Sequence, residues 1–122
     1  MKVIVSDPIS DDGLKIFYDN NIEVVDATNS TIDENYEHIP TANAWVIRSG
    51  TNLDASIISK ADKLVVIGRA GVGIDNIDIS AATRKGVVVM NTPDANTISA
   101  AEHTMALLLS LSRNVSYGHH SI

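Results

Sequence analysis

The chain has 122 residues, 44% of them apolar, which suffices for one compact domain with its own core and is too short for two ordinary ones. A formal net charge of −6 excludes the basic face that nucleic-acid binding requires, and no apolar run approaches the roughly 20 residues of a bilayer crossing. Cysteine is absent, so there is neither a disulfide framework nor a thiolate metal site, which suits a soluble protein of the reducing cytoplasm.

The first ten residues, MKVIVSDPIS, hold an apolar run too short for a signal peptide and read instead as a first strand over residues 3–5. Residues 10–20 follow with helical spacing, Leu14, Phe17 and Tyr18 on one side and Asp11 and Asp12 in the first turn, where the helix dipole favours anions. A second strand is expected over 22–25. The polar stretch 29–41, which contains Pro40, offers one short helical turn at best. Residues 45–47 read as a third strand, opened by Trp45 as a core residue. Asp54 can cap a helix carrying Ile57, Ile58 and Ala61. A fourth strand spans 64–67, Asn76 or Asp78 can cap a helix running through Ala81 and Ala82 to Gly86, and a fifth strand spans 87–90.

These strands are continuous apolar runs instead of alternations, the pattern of a parallel sheet covered on both faces. Alternation with helices predicts an α/β, flavodoxin-like, doubly wound, parallel five-stranded sheet in the order 2-1-3-4-5, with the Rossmann order as the competitor. Turn formers in NTPDAN, residues 91–96, mark the one boundary in the chain. Beyond it residues 97–114 predict a long helix opened by a capping box of Ser99 and Glu102. That helix is apolar nearly all round: Ile98, Ala101, Met105, Leu108 and Leu109 fill one side, and Ala100, Ala106, Leu107 and Leu111 much of the rest. Such a helix expects cover from a partner chain or from further polypeptide.

In open α/β sheets ligands bind beyond the carboxyl ends of the strands. There the sequence offers Ser6 and Asp7, then Arg48, Ser49 and Gly50, then Arg69, Gly71, Val72 and Gly73, and finally Asn91. Arginine grips carboxylate or phosphate with two parallel hydrogen bonds, and glycines let backbone amides approach a ligand. Two readings stay open for the arginines: a crevice for a small anion, or pairing with Asp7, Asp75 or Asp78 at a solvated edge. Asn91 can likewise line the crevice or satisfy its own turn. The string GVGIDN at 71–76 falls short of a dinucleotide fingerprint, because Asn76 replaces the third glycine, and reads as a tight turn whose amides face the crevice. Glu102 and His103 are adjacent on a helix and cannot face each other, so His103 reads as a packing or interface residue. His119 and His120 lack a third ligand, so no metal site is expected and the pair reads as a solvated tail.

GRAGVGIDNID at 68–78, AATRKG at 81–86, NTP at 91–93, SAAEHTMALLLSLSRN at 99–114 and RSGT at 48–51 together resemble the D-isomer-specific 2-hydroxyacid dehydrogenase family, its D-3-phosphoglycerate dehydrogenase branch in particular. The resemblance covers most of the chain from Val3 to Asn114. It implies NAD-linked oxidation of 3-phosphoglycerate in serine biosynthesis, with residues 1–95 as a substrate-binding lid domain and 96–122 as a linking helix and the start of the nucleotide-binding domain. It further implies that Arg48, Ser49, Arg69, Gly71, Val72, Gly73 and Asn91 meet the substrate, that the amides of 71–73 receive its carboxylate, and that Val72 and Ala100 approach the cofactor. Val72 stands where some members have a threonine, so a hydroxyl contact to the cofactor is not available there. The helix 97–114 corresponds to the family's crossing helix and implies a homo-oligomer. The family's GxGxxG turn and its catalytic arginine, glutamate and histidine have no match here, so the chain is expected to be a fragment without catalytic residues of its own and inactive alone. Another D-2-hydroxyacid dehydrogenase, of the glyoxylate or lactate type, and a stand-alone anion-binding module are the competing readings.

Overall fold

The computed structural model describes residues 1–120 apart from Asp33 and Tyr36. Its sheet has five parallel strands, β1 (Lys2–Val5), β2 (Glu23–Asp26), β3 (Ala44–Ile47), β4 (Val66–Arg69) and β5 (Val88–Met90), in the order β2-β1-β3-β4-β5. This is the flavodoxin-like order. Strand positions agree with the sequence reading to within two residues at either end; the shift in β4 makes Arg69 its last residue and not part of the loop that follows. Both-face burial holds for β1 and much of β3, whereas β2 and β5 are edges, and Val88 and Met90 of β5 lie open. Apolar runs alone do not distinguish an edge strand from a central one.

Local chemistry explains the helices. Ser10 accepts a hydrogen bond from the Gly13 amide at 3.3 Å and starts α1 (Asp11–Asp19); Leu14 and Phe17 are half-buried, while Tyr18 points outward, against expectation. Asp54 caps α2 (Ala55–Lys60) through the Ile57 amide at 2.9 Å, and Asp78 caps α3 (Ile79–Lys85) through the Ala81 amide at 2.8 Å. Of the two cap candidates for α3, Asp78 takes the role and Asn76 is released for another. Gly86 ends α3 at φ 74°, a left-handed position that suits glycine. The helical turn expected within 29–41 is Ile39–Thr41; Asp33 and Tyr36 of that stretch lie outside the described residues. Trp45, Ile4, Ile39, Ile47, Leu53, Ile58 and Ile67 form the fully buried centre, each contributing about 1.5–3 kcal/mol by burial.

Beyond β5 the expectations need correction. Helix α4 (Thr97–Ser112) starts from Asn96 with no side-chain cap, so the Ser99 and Glu102 box does not form. The turn at 92–97 enters the helix early, Thr97 already bonding Asp94, and leaves Ser99 inside the first turn. The helix stops at Ser112, two residues before Asn114, which adopts φ 55°, and the tail with His119 and His120 is helical as α5 (Val115–His120). No α4 residue is buried: Ile98 is 75% and Leu111 79% exposed, and His103 is exposed as well. Among the described residues no helix is long and apolar enough to cross a membrane, and no cluster of metal-binding side chains forms.

Two carboxylates are held by their own turns. Asp26, at the end of β2, accepts hydrogen bonds from the Thr28 amide at 3.0 Å and hydroxyl at 2.7 Å, and Glu34 is bonded likewise by the Thr31 amide and hydroxyl; these bonds lower both pKa values. A carboxyl more acidic in the folded than in the unfolded chain adds stability above its unfolded pKa and loses it as pH falls through the folded one. The stability gap between wild type and Asp26→Asn should therefore narrow as the pH drops from neutral to below the usual carboxylate range. Thermal unfolding across that range checks this; a constant gap would assign Asp26 no linked proton.

Candidate functional site at the carboxyl edge of the sheet

Parallel pairing sends every strand's following loop to one edge, and the register fixes how those loops meet. Ile47 of β3 stands opposite Arg69 of β4, so Arg48, one residue on, shares the edge with Arg69. Side chains alternate along a strand, so Arg69 is level with Ile47 while Arg48 follows Val46 and Gly68 on the alternate face. At this edge two adjoining clefts open on the face that carries Val46, Gly68 and Ala70, in place of the single crevice expected from sequence. One, of about 530 Å³, is lined by Arg48, Pro8, Ser10 and Gly13. Its neighbour, of about 270 Å³, is lined by Arg69, Asn91 and Met90. Val46 and Ala70 border both.

Asp7, after β1, is buried, and its Oδ2 accepts the backbone amides of Arg48 at 2.6 Å and Thr51 at 3.1 Å. It is thus not a counter-ion wedged between the arginines; it shapes the loop that carries Arg48, because that loop turns two amides inward. A Cβ at Gly50 would collide with Asp7 Oδ1, which explains glycine there. Arg48 Nη1 donates to the Pro8 carbonyl at 3.3 Å, and Ser49 is exposed beside it. Among the described residues no acid stands within ion-pair distance of either arginine, so neither is neutralised. The solvated-edge pairing considered from sequence does not occur.

Arg69 lies along the glycine turn. A Cβ on Gly71 would collide with its Nη1, and one on Gly73 would come within 2.7 Å of Asp75 Oδ1. Neither glycine has positive φ, so both serve close approach and not backbone conformation. Asn91 donates to the Val72 carbonyl at 2.7 Å and the Thr92 amide to the Gly71 carbonyl at 3.0 Å, pinning the turn to the end of β5. Asn91 therefore bonds the neighbouring loop, not its own turn. Val72 is 41% exposed and Ala100 lies in the open first turn of α4.

Sequence reasoning missed Asn76. Its Oδ1 accepts Arg69 Nε at 3.0 Å, while its Nδ2 donates to the carbonyls of Arg48 at 2.6 Å and Thr51 at 2.5 Å. The same two loops are zipped by backbone bonds, Leu53 to Asn76 and Asp78 to Leu53, each 2.9 Å. The available signal was that residues 76–78 hold two cap candidates for one helix start, which leaves one for another task.

Known proteins are similar to this chain in sequence and fold. A family model described as the catalytic domain of D-isomer specific 2-hydroxyacid dehydrogenase matches residues 3–119. The D-3-phosphoglycerate dehydrogenase of Methanocaldococcus jannaschii is 50% identical over 115 residues, which are 94% of this chain and 22% of that protein. Among solved structures, the TT0316 protein of Thermus thermophilus aligns with a TM-score of 0.87 at 28% identity, over 97% of this chain and 39% of that one. The NAD+-bound 3-phosphoglycerate dehydrogenase of Entamoeba histolytica aligns with a TM-score of 0.74 at 31% identity, over 90% of this chain and 38% of that one. With the family pattern running through nearly every residue that builds the sheet and its carboxyl edge, the chain belongs to the D-isomer specific 2-hydroxyacid dehydrogenase family.

Proposed function

We propose that residues 1–95 form the substrate-holding lid, and residues 96–122 the crossing helix and first part of the nucleotide-binding domain, of a cytoplasmic NAD-dependent dehydrogenase. Its reaction is the oxidation of D-3-phosphoglycerate to 3-phosphohydroxypyruvate in L-serine synthesis. The observation that carries this reading is the pair of adjoining clefts, each with an arginine that has no acidic partner among the described residues. Phosphoglycerate carries two anionic groups. The glycine turn at 71–73 with Arg69 and Asn91 suits the carboxylate, and the larger cleft with Arg48, next to Ser49 in the chain, suits the phosphate, because a guanidinium grips either group with two parallel hydrogen bonds. A lactate or glyoxylate has one anionic group and would leave one of the two arginines facing water with no anion to grip.

Oxidising a secondary alcohol needs a base for the hydroxyl proton and a nicotinamide for the hydride. NAD supplies the hydride acceptor when bound. The chain's own residues fit that cofactor poorly: Val72 and Ala100 offer apolar surface, and the one GxG turn lacks the third glycine and is filled by Arg69. The part played by these residues is therefore to bind and orient the substrate, with redox chemistry assigned to other polypeptide. Homo-oligomer formation through α4 belongs to the same reading.

Initial rates of the full-length enzyme with NAD, on 3-phosphoglycerate against lactate, glycolate and formate, test the assignment. Phosphoglycerate should be preferred. Preference for an unphosphorylated substrate would move the chain to another branch of the family, and anion binding without turnover of any of them would favour a non-catalytic module.

A further inference from the structure

We propose that Asn76 is the positioning residue of this anion site, setting the aim of Arg69 and locking it to the loop that carries Arg48. The inference rests on the reading of the two clefts as the substrate site. Asn76 is half-buried and uses both ends of its amide: the oxygen takes Arg69 Nε at 3.0 Å, the nitrogen gives to Arg48 O at 2.6 Å and Thr51 O at 2.5 Å. A carboxamide is the side chain that fits here, because it alone accepts from a guanidinium and donates to two carbonyls at once without changing the charge. An aspartate would neutralise Arg69 and face two carbonyl oxygens with no proton to give.

Taking Nε also fixes the guanidinium plane. With Nη1 packed over Gly71, the arginine has lost the freedom of a solvated side chain before any ligand arrives. Preorganisation of this kind raises affinity by removing an ordering cost from the binding step. Because the same amide holds the backbone at Arg48 and Thr51, a disturbance at Asn76 reaches both clefts. The opposite side of that loop is held by Asp7, so the Arg48 segment is fixed between a carboxylate that takes its amides and a carboxamide that feeds its carbonyls.

The test is a double-mutant cycle in the full-length enzyme, reading kcat/KM for 3-phosphoglycerate. Asn76→Ala should lower it about fivefold to tenfold, the range of one intramolecular hydrogen bond, mostly through KM. In an Arg69→Ala background the same change should cost markedly less, since its main target is gone. A merely structural role would lower both backgrounds equally and would overturn the proposal, as would an Asn76→Ala enzyme as good as wild type while Arg69→Ala is impaired. If Asn76→Ala does not fold, Asn76→Asp, nearly identical in shape, carries the test: a loss markedly larger with Arg69 present than in the Arg69→Ala background supports the proposal, and equal losses in both overturn it. An Arg69→Ala enzyme with unchanged kcat/KM would instead remove the anion site itself, and this inference with it.

Discussion

Arg69→Ala in the full-length enzyme is expected to lower kcat/KM for 3-phosphoglycerate by about 1.5–3 kcal/mol, roughly tenfold to 150-fold, the contribution of a hydrogen bond to a charged group. The guanidinium ends β4 beside the glycine turn, is half-exposed, and has no acidic partner among the described residues, so its charge remains available to an incoming anion. Arg69→Lys should recover only part of the loss. Lysine restores the charge but neither the two-pronged geometry nor the Nε that Asn76 holds. Arg84→Ala, an exposed arginine in the last turn of α3, is the control and should leave the kinetics unchanged. If Arg69→Ala matches wild type in kcat/KM, the arginine is a structural strut and the smaller cleft is not a carboxylate site.

What could be read from sequence follows a physical divide between local and tertiary information. Strand positions and helix caps were legible because β-branched runs, Asp54, Asp78 and Gly86 act within a few residues of themselves. The arginines were legible as site residues because position at a strand's carboxyl end is also nearly local. Their orientation relative to each other was not, since it depends on Ile47 pairing with Arg69 and not with a residue one step away, a one-residue register choice that flips a side chain to the other face. Asp7 and Asn76 escape a sequence reading for the same reason: each bonds a loop far away in sequence, and nothing near either residue encodes the partner.

The start of α4 shows the converse. A capping box is a local signal, yet it fails at Ser99 and Glu102, because the turn from Thr92 to Asn96 enters the helix before Ser99 can serve as cap. The apolar girdle of that helix is legible in composition, while its burial does not occur within this chain.

Trp45→Ala should cost about 3–5 kcal/mol of stability, the largest loss expected of any single change in this chain. Trp45 is 1% exposed in the central strand, paired with Ile4 of β1 on one side and Ile67 of β4 on the other. Its truncation would open a cavity where three strands meet. A domain of this kind is stable by only about 5–15 kcal/mol, so the variant should sit near its unfolding threshold. The indole also donates from Nε1 to Ser6 Oγ at 2.6 Å, and Ser6 leads directly into Asp7, the carboxylate that shapes the Arg48 loop. Trp45→Phe separates the two roles: it keeps most of the ring volume, so its stability loss should be well below that of alanine. Because Ser6 loses its partner, kcat/KM for 3-phosphoglycerate should fall as well. Trp45 is the one tryptophan of the chain, so denaturant unfolding must be followed by circular dichroism and not by indole fluorescence. A Trp45→Ala chain within about 1 kcal/mol of wild type would contradict the packing described here, since a deletion that small in effect belongs to a surface side chain.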